Sequence, residues 1–291
     1  MSAMPLKSLE IILTRAAHQI ESSAQRFEEL GIQVIRAPSI RLAEPPPLDH
    51  SVYERGQWML PKYDLGAFLW RFDWVIFTSV NAVKFAQQAW LKQGGLKKAL
   101  AHQNNDQQRA RRTKVACIGE STSTYLNHLG IKVDLQPKEY HAESLLQAFK
   151  SYENQQELSQ QRFLIPRALV AREILPNALR ALGAEVWICP LYQTLDAEIS
   201  PTCKQRIIKH SDQALKRAIL FTSNSTLKGF SKQFSEQELN HIKREYDTFV
   251  IGPVIRKAAL TAGFNIVAMA QPHTMQGLIE AVIHHYSKVE N

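Results

Sequence analysis

One short stretch occurs twice in this 291-residue chain, and the repetition constrains the fold more than any other feature. Residues 77–84 read Phe-Thr-Ser-Val-Asn-Ala-Val-Lys, and residues 221–228 read Phe-Thr-Ser-Asn-Ser-Thr-Leu-Lys. Each copy follows an apolar run and continues at helical spacing, which predicts a buried strand, a turn and the start of a helix. A single turn of this kind is usually only a helix cap, but two copies indicate a duplicated unit.

Further matches follow in the same order along both halves. They pair residues 13–15 with 165–167, 118–119 with 251–252, and 144–146 with 277–279. Within each half, predicted strands alternate with predicted helices, which indicates a parallel sheet covered by helices on both faces. The predicted fold class is therefore α/β, with two similar parallel-sheet domains of about 130–150 residues each.

Composition narrows the class of protein. The chain is 45% hydrophobic and contains no apolar run long enough to span a membrane, and its N-terminus lacks the apolar region of a signal peptide. Cys117, Cys189 and Cys203 are odd in number and lack metal-ligand spacing. Cys117 and Cys189 lie in apolar runs, so we expect these two to be core thiols in a cytoplasmic protein. The formal charge of +8 suggests anionic partners, but the basic residues are too dispersed to predict nucleic-acid binding.

Some segments fall outside the repeat. Residues 44–72 begin with three prolines and are predicted to be an insertion with a helix near its end. Gly94 and Gly95 are expected to end the helix that follows the Phe77 turn, before a polar insertion. Residues 131–135 are predicted to be a strand, and residues 190–195 are predicted to be extended.

Six turns of the two halves follow a strand and open a helix. At such a position, free backbone N–H groups and the positive end of the helix dipole can bind an anion. The six turns are Thr14-Arg15, Thr78-Ser79, Gly119–Ser121, Pro166-Arg167, Thr222–Thr226 and Gly252-Pro253.

Several phrases together resemble the uroporphyrinogen-III synthase family. They are Leu13-Thr14-Arg15, Trp74–Ser79 with Asn81–Val83, Ile165–Arg167 with Arg172-Glu173, Pro190–Thr194, Ile251–Pro253 and Thr274–Leu278. The resemblance covers roughly residues 9–283 without the insertions at 44–72 and 95–112. Each phrase alone is weak, but their order and the duplication make the set fairly specific.

The resemblance implies a particular architecture. The two domains exchange their opening segments, so that the first strand-helix-strand belongs with the C-terminal half, and a two-stranded linker joins the domains. On this prediction, one domain contains residues 1–37 and 197–291, the other contains 43–189, and 38–42 and 190–196 are linker strands. Contiguous halves remain the alternative if the resemblance misleads.

The resemblance also implies a function. The family's substrate is hydroxymethylbilane, a linear tetrapyrrole with acetate and propionate side chains, which is cyclised to uroporphyrinogen III with loss of water and inversion of the last ring. The implied enzyme is a lyase without metal or organic cofactor, and its site lies in an interdomain cleft. A monomer is expected, with transient hand-over of substrate from hydroxymethylbilane synthase, and with neither nucleic acid nor membrane as a partner.

The resemblance assigns roles to individual residues. Tyr192 matches the tyrosine of the interdomain linker and is the candidate general acid, with a structural ladder tyrosine as the equally weighted alternative. Arg15 and Arg167 are candidates for carboxylate binding, against a simple ion pair. The remaining candidate substrate-binding residues lie in the turns and at the start of the last helix: Thr78, Ser79, Asn81, Thr222, Ser223, Ser225, Thr226, Gly252, Pro253, Thr274 and Gly277.

The chain departs from the family pattern at three positions, the first of which is Ala17, in a turn where many members have proline nearby. Glu120 places a carboxylate beside a predicted anion site, and His141 replaces a small hydroxyl residue at a helix start. Two alternative functions stay open: a non-catalytic two-domain binder of anionic small molecules, and an inactive member of the same family.

Overall fold

The computed structural model describes residues 6–47, 52–54, 57–59, 69–101, 112–139, 141–152, 155–209 and 215–288. The chain divides into two compact units, Met1–Leu42 with Thr194–Asn291, and Ala43–Gln193. None of the described helices is long and apolar enough to cross a membrane.

Strands and helices alternate along most of the described chain. The strands are β1 (Leu9–Leu13), β2 (Gln33–Arg36), β3 (Ile40–Ala43), β4 (Val52–Glu54), β5 (Gln57–Met59), β6 (Trp74–Phe77), β7 (Lys114–Cys117), β8 (Arg162–Ala168), β9 (Glu185–Asp196), β10 (Lys216–Phe221), β11 (Asp247–Val250) and β12 (Ile266–Met269). The helices are α1 (Ala17–Glu29), α2 (Val80–Ala89), α3 (Gly95–Ala101), α4 (Glu120–His128), α5 (Ala142–Tyr152), α6 (Gln155–Leu158), α7 (Ile174–Ala181), α8 (Pro201–Ile208), α9 (Asn224–Ser231), α10 (Glu236–Glu245), α11 (Pro253–Thr261) and α12 (Met275–Lys288).

The first unit is built on a five-stranded sheet in the order β12-β11-β10-β1-β2, in which all neighbours are parallel. Successive residues of β1 point to opposite faces of the sheet, so that Ile12 joins one apolar cluster and Ile11 and Leu13 join the other. Both faces of this sheet are therefore buried around β1, a strand in which every residue except Glu10 is apolar.

The position of β1 confirms the exchange of opening segments. The strand lies between β2 and β10, with Leu9 opposite Lys216 and Leu13 opposite Leu220. The opening strand-helix-strand of the chain is thus part of the sheet formed by its C-terminal segment. The two predicted linker strands, β3 and β9, pair with each other.

The second unit contains a sheet in the order β4-β5-β9-β8-β6-β7. Neighbours along this order are parallel except for the β4–β5 hairpin, which is antiparallel, and β3 joins the same sheet through β9. One face is packed by aromatic rings in edge-to-face contacts, with Phe149 against Trp74 at 4.9 Å and against Phe163 at 5.3 Å between ring centroids. The predicted class of two parallel-sheet α/β domains is confirmed.

The structure differs from the predicted secondary structure in three segments. The described residues of the 44–72 insertion form β4 and β5, which were not predicted, and a short 3-10 helix, Leu69–Arg71, near its end. Gly94 has φ +84° and ends a short 3-10 helix, but Gly95 begins α3 rather than a polar loop. The expected strand at 131–135 is reduced to a single bridge between Ala116 and Leu135.

A buried ion-pair cluster lies at the amino-terminal edge of the first unit's sheet. The Glu10 carboxylate is 2% exposed, accepts two hydrogen bonds from Arg206 at 2.9 and 2.6 Å, and lies 3.1 Å from the buried Arg217 guanidinium. Removing one member of a buried pair leaves an uncompensated charge, which costs more than the pair itself contributes.

We therefore expect Glu10→Gln to lower the free energy of unfolding by about 3 kcal/mol, because the Arg217 charge stays buried. Chemical denaturation measures this loss. The matched control is Glu28→Gln, which breaks the exposed ion pair with Arg36 and should leave stability nearly unchanged. Equal effects of the two substitutions would contradict the prediction.

Candidate functional site

The predicted site residues of the first unit follow four adjacent strands. Arg15 follows β1, the Thr222–Thr226 turn follows β10, Gly252 follows β11, and Thr274 precedes α12. Because these strands are parallel, their carboxyl ends lie at the same edge of the sheet. The pairing of the strands thus brings together residues that are as far as 259 positions apart (from 15 to 274).

The turn after β10 is an N-terminal helix cap built from two side chains. The Ser223 hydroxyl accepts a hydrogen bond from the Thr226 N–H at 3.2 Å, and the Thr226 hydroxyl accepts one from the Ser223 N–H at 3.1 Å. Thr226 is buried, and its hydroxyl also donates to the Ser223 carbonyl. Ser225 is exposed and Thr222 half-buried, so these two hydroxyls are the more accessible of the turn.

The other turns of this edge are also helix starts. Gly252 precedes α11, and Pro253 occupies its first turn, where the missing N–H of proline costs no hydrogen bond. The Thr274 hydroxyl accepts a hydrogen bond from the Gly277 N–H at 3.1 Å at the start of α12. A Cβ atom at Gly277 would lie 2.2 Å from the Pro272 carbonyl oxygen, so close backbone packing requires glycine there.

Arg15 is a partly buried arginine at the turn after β1. It is half-buried, and burial lowers the pKa of its guanidinium below the ordinary arginine value, although the group stays charged at neutral pH. Within the described part of the chain, Arg15 has no carboxylate in ion-pair distance. A partly desolvated cation without a counterion favours an anionic ligand.

In the second unit, three of the predicted site residues converge at the start of α2. The Ser79 hydroxyl caps α2 by accepting from the Ala82 N–H at 3.2 Å, and it lies 3.3 Å from the Tyr192 hydroxyl. The Asn81 side chain also hydrogen-bonds the Tyr192 hydroxyl. The Tyr192 ring stacks on Phe85, with centroids 4.8 Å apart and planes 14° from parallel.

The surroundings of Tyr192 alter its acidity. The residue is only 7% exposed, and burial raises the pKa of its phenol, while the hydrogen bonds with Ser79 and Asn81 lower it. A phenol with a raised pKa holds its proton at neutral pH and is a hydrogen-bond donor there.

Thr78, the chain neighbour of Ser79, and Arg167, beside the β9 strand that carries Tyr192, both line a cavity of about 270 Å³. The cavity lies at the carboxyl edge of the sheet, because Thr78 follows β6 and Arg167 stands at the end of β8. Arg167 is 5% exposed; it donates to the Glu173 carboxylate at 2.5 Å and to the Arg172 carbonyl at 3.1 Å. The expected alternative for Arg167, an ion pair near a helix start, is therefore present.

His141 also lines this cavity, but it has a structural role. Its Nδ1 accepts a hydrogen bond from the Ser144 N–H at 3.2 Å at the start of α5. Its Nε2 lies 2.8 Å from a carboxylate oxygen of Glu139, and a carboxylate oxygen of Glu143 lies 3.2 Å from its Nδ1. Glu120 is exposed in the first turn of α4, where a carboxylate suits the helix dipole.

A larger cavity of about 670 Å³ lies at the opposite, amino-terminal edge of the second unit's sheet. Its lining includes Asp73, which precedes β6, and Lys114, the first residue of β7. Arg112 and Asp134 of the lining pair with each other, and none of the predicted site residues lines it. No group of three or more potential metal-ligating side chains was found among the described residues.

Sequence reasoning missed the contributions of Phe85, Arg172 and Glu173. Phe85 lies one turn after Asn81 in α2, which places its ring on the side of the helix where Asn81 meets Tyr192. Arg172 and Glu173 were quoted only as part of a motif. The contact of Glu173 with Arg167 depends on how the chain turns between β8 and α7.

The fold and site define a duplicated α/β protein whose helix-opening turns gather at the carboxyl edges of two parallel sheets. A family model described as uroporphyrinogen-III synthase HemD matches residues 21–280. The chain belongs to the uroporphyrinogen-III synthase family. This membership places it among the enzymes of porphyrin and heme biosynthesis.

Individual relatives agree with this membership. The chain is 27% identical over 293 residues to a uroporphyrinogen-III synthase of Synechococcus elongatus, covering 97% of each chain. It shares its fold with a mutant uroporphyrinogen III synthase of Thermus thermophilus, with a TM-score of 0.57, 15% identity and 96% and 99% of the two chains covered. The synthase of Helicobacter pylori has a TM-score of 0.54, 18% identity and 87% and 93% coverage.

The raised pKa of Tyr192 predicts a loss of stability at high pH. A phenol that binds its proton more tightly in the folded state stabilises the protein fully below the ordinary tyrosine pKa of 10.0, and this contribution is lost as the pH rises towards the folded pKa. The free energy of unfolding should therefore fall above pH 10, and fall less steeply in Tyr192→Phe.

The measurement is denaturant unfolding at several pH values between 7 and 11. Tyr246 and Tyr286 also have pKa values raised by burial, so among the described tyrosines the wild-type loss is shared by three phenols. Tyr125→Phe is the control, at a less buried tyrosine. Identical pH dependence in wild type and Tyr192→Phe would contradict the raised pKa.

Proposed function

We propose that this protein is a uroporphyrinogen-III synthase that cyclises hydroxymethylbilane to uroporphyrinogen III, with loss of water and inversion of the last pyrrole ring. The reaction class is that of a lyase. The observation that carries the proposal, beside family membership, is the alignment of helix-opening turns at the carboxyl edge of each sheet. The interdomain cleft that the family resemblance implies is part of the proposal.

The turns suit the charge of this substrate. Hydroxymethylbilane carries several carboxylates, and each helix start offers free backbone N–H groups and a positive dipole end. In the first unit, α9, α11 and α12 begin at neighbouring turns, and α2 begins at the equivalent turn of the second unit. Substrate carboxylates would bind these turns, with Ser79, Ser225 and Thr222 adding hydroxyl donors.

Arg15 supplies the charge that the turns lack. Its guanidinium is partly desolvated, and no carboxylate of the described chain pairs with it. A planar guanidinium binds a carboxylate through two parallel hydrogen bonds, which fixes orientation as well as position. We assign Arg15 to one carboxylate of the substrate, at the turn after β1.

Tyr192 would assist departure of the substrate hydroxyl. The protonated phenol donates to the leaving oxygen, which departs as water, and the pyrrole nitrogen stabilises the resulting azafulvene cation. Ring closure then forms a carbon–carbon bond between the azafulvene carbon and the last ring. Inversion of that ring requires that its existing bond to the neighbouring methylene carbon breaks and re-forms at its other α-carbon, and the proton displaced from that α-carbon returns to the Tyr192 phenolate. Because closure without guidance gives the uninverted isomer, the main task of the protein is to hold the chain in one geometry.

The proposal also covers the cofactor, the oligomeric state, the location of the protein and the source of its substrate. The reaction uses no metal or organic cofactor, the protein works as a monomer in the cytoplasm, and substrate arrives from hydroxymethylbilane synthase. Cys117 and Cys189 are buried thiols, and burial raises the pKa of Cys117 to about 12, which suits a structural role for that residue.

A coupled assay tests the activity. Hydroxymethylbilane is generated by its synthase, this protein is added, and the products are oxidised and separated into uroporphyrins I and III. We expect isomer III to increase in proportion to the protein. If folded protein yields isomer I alone, the proposed function is wrong, and the anion-binding or inactive-member alternatives take its place.

Tyr192→Phe is expected to lower turnover about 10²-fold at saturating substrate, because the proton donor to the leaving hydroxyl is lost. The same assay measures the rate, and thermal unfolding at neutral pH confirms that the variant folds. Tyr125→Phe is the matched control. An unchanged rate at saturating substrate would remove Tyr192 from the mechanism.

A further inference from the structure

The helix α2 and its cap contact Tyr192 at two places, the hydroxyl and the ring. The Ser79 hydroxyl lies 3.3 Å from the Tyr192 hydroxyl, and the Asn81 side chain hydrogen-bonds the same group. The Phe85 ring stacks on the Tyr192 ring, with centroids 4.8 Å apart and planes 14° from parallel. One helix therefore holds both the oxygen and the ring of this phenol.

The hydrogen bonds from α2 hold the phenol oxygen without using its proton. Both Ser79 and Asn81 lower the pKa of Tyr192, as donors to a phenol oxygen do, because such donors favour the ionised form. When the Tyr192 oxygen accepts these bonds, its own O–H stays available for another acceptor.

The stack on Phe85 restricts the direction of that O–H. A phenolic O–H lies in or near the plane of its ring, so the orientation of the ring decides where the proton points. The Tyr192 backbone is anchored, since its carbonyl accepts the Leu169 N–H at 2.7 Å, but rotation about the side-chain bonds would still move the hydroxyl. A near-parallel aromatic stack has a preferred geometry and opposes that rotation.

We infer that Phe85 is a positioning residue, whose ring holds the Tyr192 phenol in the orientation in which its O–H points to the leaving hydroxyl of the substrate. The inference rests on the proposed function, because only a phenol that donates a proton needs a fixed O–H direction. It goes further in giving a role to a half-buried side chain that neither donates a proton nor binds a carboxylate. Phe85 acts through Tyr192 and not on the reacting atoms.

The kinetic test compares Phe85→Leu, which removes the ring, with Phe85→Tyr, which retains it. We expect Phe85→Leu to lower turnover at saturating substrate about three- to tenfold with little change in KM, because a displaced proton donor affects the reacting oxygen and not the binding of carboxylates. Phe85→Tyr should stay within about twofold of wild type, because the stack persists.

The matched control is Phe234→Leu in the first unit. Phe234 also contacts a second ring, that of Phe230, with centroids 4.8 Å apart, and its loss should leave turnover unchanged. Thermal unfolding at neutral pH confirms that each variant is folded. Equal turnover of Phe85→Leu and Phe85→Tyr would overturn the inference.

A double substitution separates positioning from packing. In Tyr192→Phe there is no phenol proton to direct, so adding Phe85→Leu should lower turnover no further. A merely structural role of Phe85 would lower the rate by the same factor in both backgrounds, and that result would overturn the inference.

Magnetic resonance follows the phenol itself and requires no activity. In protein with isotope-labelled tyrosine rings, the Tyr192 signals are identified by their absence from Tyr192→Phe. The ring current of Phe85 should shift the Tyr192 ring protons to high field, and this shift should disappear in Phe85→Leu but persist in Phe234→Leu. Removal of the covering ring should also lower the pKa of the Tyr192 phenol, since burial is what raises it.

The outcomes separate this role from the overall function. Unchanged Tyr192 ring signals in Phe85→Leu would overturn the positioning role whatever the activity. Isomer III formed by Phe85→Leu at the wild-type rate would overturn that role alone. Wild-type protein that shows the ring-current shift but forms no isomer III would overturn the proposed synthase activity, and with it the catalytic purpose of the stack.

Discussion

The structure of the first unit depends on the pairing of β1 between β2 and β10. This pairing brings the opening segment of the chain into the sheet built by its C-terminal segment. Side chains reinforce the arrangement, since the Thr14 hydroxyl donates to the Leu220 carbonyl at 2.8 Å, and the Ser39 hydroxyl lies 2.8 Å from the Thr14 carbonyl and 2.9 Å from the Thr226 carbonyl. Without this pairing, Arg15 would not lie beside the turn that opens α9.

The second unit repeats the arrangement with different chemistry. Its strand β8 lies between β9 and β6, as β1 lies between β2 and β10, so that Arg167 corresponds to Arg15. Arg167 is paired with Glu173, whereas Arg15 is partly desolvated and has no carboxylate partner in the described residues. The second unit also contains the Tyr192 cluster, to which Phe85 adds a stacked ring. Duplication thus gave two similar arrangements of strands, and local substitutions made the carboxyl edges of the two sheets chemically distinct.

The sequence predictions are correct where the interacting residues are close together in the chain, and they are incomplete where the partners are far apart. Ser79 and Ser223 were predicted as helix starts and both cap their helices, because a cap involves residues three positions apart. The hairpin of β4 and β5 was missed, because its pairing with β9 depends on a partner far along the chain. The exchange of opening segments was expected only from the family resemblance, since periodicity cannot say which sheet a strand joins. The role of Tyr192 was predicted from that resemblance, the turn residues were predicted from the strand–turn–helix pattern, and both stay predictions.

The sequence by itself determined the alternation of strands and helices, the two matching halves and the turns that open the helices. These features depend on the spacing of apolar residues and on short-range hydrogen bonds, both of which can be read along the chain. Only the tertiary structure decided which side chains meet. Tyr192 reaches Ser79 across 113 positions, and the cavity of Thr78 and Arg167 forms where separate strands end at one edge. Such contacts depend on strand order and burial, because they exist only once the whole sheet is assembled.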